Sequence, residues 1–243
     1  MRPIGFSTGA LAFSDFRRGL DLVRRHRLPV VELSALRAAE LYPLLGALED
    51  LDWGGFTHVA LHAPSRFDTL TEEQVSQALR LHVPPEWPIV VHPDSLTRPD
   101  LWQPFGARLC IENMDKRKPI GRTVTELEAV FARYPEAGLC FDIGHARQID
   151  ATMGVARDIL TYFADRLRQV HLSEVNARCG HEAISFTAAQ AFRAVAPLIP
   201  AHIPIILEAV IPDGEIETQV RVAAKALPIP ESRRLAKEPA GLA

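Results

Sequence analysis

The feature that most constrains this chain is a repeat. Short runs of apolar and β-branched residues recur roughly every 30 residues, each followed by a helix-like stretch. The runs predict strands near 3–8, 29–34, 58–62, 88–92, 108–112, 138–142, 168–173 and 203–208. Helical periodicity is expected near 13–26, 36–50, 70–81, 124–134, 150–166, 185–197 and 214–227, while the Pro-rich connection SLTRPDLWQPFGA has room for only a short helical turn. Eight β-then-α units without a break in composition predict one α/β domain, a single (β/α)8 barrel over 1–228. The turn-rich remainder, 229–243, reads as a flexible, solvated tail. A length of 243 residues with 47% hydrophobic content suits one such barrel better than two domains.

Alternation within the runs assigns their faces. In LCIEN, Leu109 and Ile111 share one side of the strand and Cys110 and Glu112 the other. The same split separates Val59/Leu61 from Ala60/His62, Ile89/Val91 from Val90/His92, Leu139/Phe141 from Cys140/Asp142, and Ile205/Leu207 from Ile206/Glu208. The aliphatic side is expected to pack on helices and the other to point into the barrel. Each inward side then ends in an ionisable group: Glu32, His62, His92, Glu112, Asp142, His171 and Glu208, with His145 and His181 just beyond strands six and seven. A buried carboxylate or imidazole costs several kcal/mol unless paired or metal-bound. So many at one height, on the face where barrels carry their active sites, predict a site. The mixed imidazole and carboxylate set suits Mn²⁺, Zn²⁺, Co²⁺ or Fe²⁺ better than Ca²⁺ or Mg²⁺.

A net charge of −3 gives no general basic surface, so nucleic acid is not an expected partner. No apolar run approaches the roughly 20 residues that span a bilayer, and MRPIGFSTGA lacks the apolar stretch of a signal peptide. Three cysteines without CxxC spacing argue against a disulfide framework and for a reducing, cytoplasmic setting.

The runs IGFSTGA, VVELS, LHAP, VVHPD, CIENMD, FDIGHA, VHLSEVN and IILEAVI resemble, strand by strand, the xylose-isomerase-like barrels. That superfamily holds sugar-phosphate isomerases and epimerases and the endonuclease-IV-type enzymes. The resemblance covers residues 1 to about 227, and its most specific pieces are Glu112-Asn113, the Asp142-x-Gly144-His145 motif, His171 and Glu208. It implies at least one divalent ion held by Glu112, Asp142, His171 and Glu208. In the epimerase branch the two glutamates double as acid and base on either side of an enediolate, His145 holds a substrate oxygen, and Glu32 and His62 line the same pocket. In the endonuclease branch three metals are implied. His62, His92 and Glu112 match one, Asp142, His171 and Glu208 the second, and His145 and His181 the third. Where that branch has an Asp before its last His, this chain has Cys179. A thiolate can ligate zinc, so Cys179 reads either as a substitute ligand or as an ordinary loop residue.

The leading expectation is therefore a metal-dependent isomerase or epimerase of a sugar, sugar phosphate or polyol, with a carbohydrate-like small-molecule substrate. Alternatives are an endonuclease-IV-like hydrolase and a metal-binding barrel without catalysis. One tightly held metal is expected, with the third site least occupied for want of its own carboxylate. Arg178 stands as a substrate-binding candidate. Lys116, Arg117 and Lys118, with Arg122 nearby, read first as a solvated loop and second as a phosphate grip. Cys110 and Cys140 read as inward packing residues, Trp102 as packing or a pocket wall, and His26, His58, His82 and His202 as lying outside the ligand layer. Association into a homo-oligomer is compatible with all of these readings.

Overall fold

The eight expected strands form within a residue or two of their spans in the computed structural model, which describes residues 2–229. The expected tail, 229–243, lies outside the described residues apart from its first. β1 (Ile4–Ser7), β2 (Val30–Ser34), β3 (His58–His62), β4 (Ile89–Val91), β5 (Leu109–Glu112), β6 (Gly138–Asp142), β7 (Leu167–Leu172) and β10 (Ile205–Leu207) close into a barrel. Its strand order is β1-β10-β7-β6-β5-β4-β3-β2, and paired strands are parallel. Two further strands, β8 (Glu174–Val175) and β9 (His181–Glu182), make a small antiparallel hairpin after β7.

The two faces separate as alternation demands. Leu61, Ile89, Val91, Leu109, Ile111, Leu139, Phe141, Ile205 and Leu207 all join one core that also holds the helical Leu20, Leu41, Leu79, Leu127 and Phe192. Val90, Cys110 and Cys140 form a separate cluster, the inward packing expected of the two cysteines. Each large aliphatic side chain buried in the outer layer contributes about 1.5–3 kcal/mol.

The helices follow the expected order, with two departures near the site. The single helix expected over 13–26 is two: α1 (Thr8–Ala12) and α2 (Phe16–Arg25), separated where Phe13 takes φ 53°. α3 (Ala38–Leu45), α4 (Glu72–His82), the short α5 (Pro99–Trp102) and α6 (Val124–Arg133) come as expected. The helix expected over 150–166 is preceded by another. α7 (Ile143–Ile149) starts directly at the end of β6, and α8 (Gly154–Tyr162) follows after Met153 at φ 65°. α9 (Phe186–Arg193) and α10 (Ile216–Ala226) complete the outer layer. Among the described residues no helix is long and apolar enough to cross a membrane.

Candidate metal centre

Parallel closure brings every strand's C-terminal end to one mouth. Glu112 and Asp142 are the last residues of β5 and β6, His62 the last of β3, and His171 the last but one of β7. His92 and Glu208 follow β4 and β10 directly, His145 sits in the first turn of α7, and His181 opens β9. His145, expected just beyond strand six, thus sits on a helix that none of the expected spans covers. The Asp142 side chain caps that helix by accepting from the His145 backbone N–H at 2.6 Å. Gly144 allows this seat, because a Cβ there would lie 2.6 Å from the Ser173 carbonyl oxygen.

The eight side chains fall into three groups whose donor atoms lie within 4.8 Å of one another: His62/His92/Glu112, Glu112/Asp142/His171/Glu208, and Asp142/His145/His181. Glu112 belongs to the first two and Asp142 to the last two. Glu112 is the hub. Its Oε2 faces Nε2 of His62 at 3.1 Å and of His92 at 3.2 Å, while its Oε1 faces Nδ1 of His145 at 3.3 Å and of His171 at 3.5 Å. Glu208 Oε2 lies 3.4 Å from His171 Nδ1 and 3.5 Å from His181 Nδ1.

Most of these imidazoles are oriented from behind. His62 Nδ1–H donates to the Ala63 carbonyl at 2.7 Å, and His145 Nδ1–H to the Asn113 carbonyl at 2.9 Å. For His62 the other nitrogen is left for the centre, which is the arrangement metal-ligating histidines use, whereas His145 turns Nδ1 to both the Asn113 carbonyl and Glu112. His181 Nδ1 shares a hydrogen bond with Ser173 Oγ at 2.8 Å.

Burial and mutual contact perturb several of these groups. Burial would lower His62 and His145, but Glu112 beside the first, and Asp142 and Glu112 beside the second, raise them to about 9 and about 10. Burial would raise Glu112, yet four imidazoles hold its carboxyl well below the usual range. The same contest leaves Glu208, beside His171, at about 2. For Asp142 burial wins, and its carboxyl rises to about 6. These are the values of a centre that stores opposite charge at short range.

The residues present fit divalent metal ions. Asp142 Oδ2, His171 Nδ1 and His92 Nδ1 are buried without a hydrogen-bond partner, and such orphans are costly in a folded interior. The first two belong to residues of the four-residue group. Within the first two groups, donor separations of 3.1–3.5 Å are what bonds of about 2.0–2.2 Å to one ion produce at ordinary coordination angles.

Several sequence-stated candidates sit elsewhere. Glu32 is fully buried beneath the centre, bonded to His171 and Gln169, and does not line the cavity. Arg178 is exposed and away from the cavity walls. Cys179 is buried at φ 60°, with its sulfur accepting from Gln148 Nε2 at 3.1 Å. It joins none of the donor groups, and Asp142 supplies the carboxylate that the third group was expected to lack. Trp102 is packed between Phe67 and Phe105. Lys118, by contrast, is more than a solvated loop residue. It lines the cavity with its side chain 15% exposed, ion-paired to Asp94 at 2.8 Å. Arg117 also lines the cavity and pairs with Asp115, whereas Arg122 pairs with Glu126.

Sequence reasoning did not give Asn113 a role. Its Nδ2 donates to the Asp142 carbonyl and its Oδ1 accepts from the Asp142 N–H, both at 2.8 Å. It clamps the ends of β5 and β6, and hence Glu112 and Asp142, in register. The signal was present in the Glu-Asn pair, where an amide with donor and acceptor follows a ligand.

The cavity over the centre holds about 270 Å³. The exposed Phe13 lines it from the break between α1 and α2, Leu36 and Val210 from the loops after β2 and β10, and Arg117 and Lys118 from across the barrel, after β5.

No protein-family model matches the chain, and no curated protein matches it. Solved structures do. An endonuclease IV from Thermus thermophilus superposes with a TM-score of 0.60 at 18% identity, over 93% of this chain and 99% of that one. The 3-keto-D-glucoside 4-epimerase YcjR from E. coli, in its apo form, gives 0.58 at 12% identity over the same shares. SacUVDE gives 0.51 at 16% identity, over 91% and 86%. These neighbours include a nuclease and a sugar epimerase, so the expectation against nucleic acid gains no support from them. The chain shares the (β/α)8-barrel fold of these three structures.

Proposed function

We propose that the chain is a multinuclear metal-dependent hydrolase of a small phosphate ester. The observation that carries this reading is the sharing of Glu112 and Asp142 between donor groups. A carboxylate that faces imidazoles with both oxygens is placed to bridge ions. When bound, divalent ions supply Lewis acidity, neutralising charge on a phosphoryl oxygen and acidifying water. The eight residues include only three carboxylates, fewer negative charges than three dications carry, so a loaded centre attracts an anion. Lys118 and Arg117 add positive charge to one wall, and the Phe13/Leu36/Val210 wall suits an apolar group on the ester.

The second reading is the sugar isomerase or epimerase. One observation favours it: Glu112 and Glu208 both line the cavity and flank His171. Against it, four imidazoles hold Glu112 well below the usual carboxylate range and Glu208 lies at about 2. Carboxylates held that low in the metal-free centre are weak bases there, whereas general-base catalysis is most effective near the working pH.

The deciding experiment incubates Mn²⁺- or Zn²⁺-loaded protein with p-nitrophenyl and bis-p-nitrophenyl phosphate, and separately with ketoses and ketose phosphates in D₂O. The proposal predicts nitrophenolate release that a chelator abolishes, without deuterium at the carbon next to the carbonyl. Deuterium incorporation without ester hydrolysis would reverse the choice.

A further inference from the structure

Barrel interiors are normally filled below the active site by branched apolar side chains. Here that layer holds Glu32 of β2 and Gln169 of β7, both with no exposed surface. Gln169 Nε2 donates to Glu32 Oε2 at 2.6 Å, and His171 Nε2 lies 3.0 Å from the same oxygen. A carboxylate oxygen accepts, so Nε2 carries a His171 proton toward Glu32, with Gln169 Nε2 also 3.0 Å from it, and Nδ1 is the nitrogen turned to the centre, whose lone pair would be offered to a cation. That Nδ1 has no hydrogen-bond partner and faces Glu112 and Glu208 at 3.5 and 3.4 Å. On its other side Gln169 Oε1 accepts from His58 Nε2 at 3.1 Å. The chain of hydrogen bonds thus runs from His58, the first residue of β3, up the barrel to the centre.

A wholly buried carboxylate is unfavourable for folding, and Glu32 Oε1 has no partner of its own. Packing does not require it, since an aliphatic side chain fills such a position in other barrels. What Glu32 does is choose the nitrogen that His171 presents.

We propose that Glu32, held by Gln169 and His58, is a positioning residue. It locks His171 in the tautomer and ring orientation whose Nδ1 faces Glu112, Asp142 and Glu208, and so sets that group's affinity for a divalent cation. This rests on reading the four-residue group as a metal site. It also replaces the expectation that Glu32 contacts substrate.

The test is a titration of metal-free protein with Co²⁺, followed by its visible absorption and by chelator competition. Glu32→Gln keeps shape but removes the charge, and it should weaken the tightest Co²⁺ site about 10–100-fold and shift the absorption bands. Its metal-free melting temperature should be unchanged or higher, because a buried charge is gone. Gln169→Leu should weaken Co²⁺ binding in the same direction by a smaller factor, and it decides the matter should Glu32→Gln fail to fold. Wild-type affinity and spectrum in both variants would overturn the proposal. So would altered substrate KM with unaltered Co²⁺ binding, the signature of a substrate contact. Absence of Co²⁺ uptake by the wild type would instead remove the metal reading beneath it.

Discussion

Glu112 concentrates the chemistry of this protein in one carboxylate. Because each of its oxygens faces two imidazoles, Glu112→Gln should lower metal content more than any other single change while the metal-free barrel stays folded. Elemental analysis alongside circular dichroism checks both halves. The metal-free centre also makes stability depend on pH. His62 at about 9 and His145 at about 10 lie above their ordinary value of 6.5. Their stabilisation is complete below 6.5 and is lost as pH rises through 9 and 10. The melting temperature of chelator-treated protein should therefore fall from about pH 7 to about pH 10. Saturating metal should reverse the trend, because ligands bind deprotonated. A flat profile without metal would contradict these assignments. At this scale six of the eight donors were legible from period-two alternation, which puts each near a strand end on the inward face, while His145 and His181 were legible only through the motifs that carry the resemblance. Glu32 obeys the same alternation, so sequence could not tell a cavity wall from the layer beneath. Only its bonds to His171 and Gln169 make that distinction.

The elements fix how donors meet. Asn113 bridges β5 and β6 through both backbone groups of Asp142. Asn113→Ala would leave those buried groups unpartnered, at about 1–3 kcal/mol each. It should lower the melting temperature and loosen metal at the two groups containing Asp142, which thermal unfolding and chelator competition would report. The step from β6 straight into α7 is as demanding. Gly144→Ala would press a methyl against the Ser173 carbonyl and Val175, which should destabilise the fold and displace His145. Strands and most helices were legible because their periodicities run for several residues. The start of α7 was not, because Ile143-Gly144-His145 is too short to show a helical period and its cap, Asp142, had already been read as a ligand. The β8–β9 hairpin is two residues a side, again too short for alternation to register.

Across the whole molecule, eight evenly spaced runs left little choice but a closed parallel barrel, and closure is what gathers residues from His62 to Glu208 at one mouth. Net charge was a poorer guide. A chain at −3 still carries Lys118 and Arg117 on one wall of its cavity, because total charge averages over surfaces that a substrate never meets. The sharing of donors between groups was the least legible property. Sequence matching gave Asp142 to one group and the third only His145 and His181, with Cys179 as either a substitute ligand or a loop residue, whereas the folded chain brings Asp142 within reach of His145 and His181 and turns Cys179 toward Gln148. Sharing is a matter of distance between strands, which spacing along a chain does not contain. The most direct measurement is therefore the number of metal equivalents per chain, by elemental analysis of protein purified without chelator, supplied with Mn²⁺ or Zn²⁺ and dialysed. The three groups predict about three equivalents, falling to about two in His181→Ala. A single equivalent that does not rise with added metal, and is unchanged in His181→Ala, would contradict the multinuclear centre.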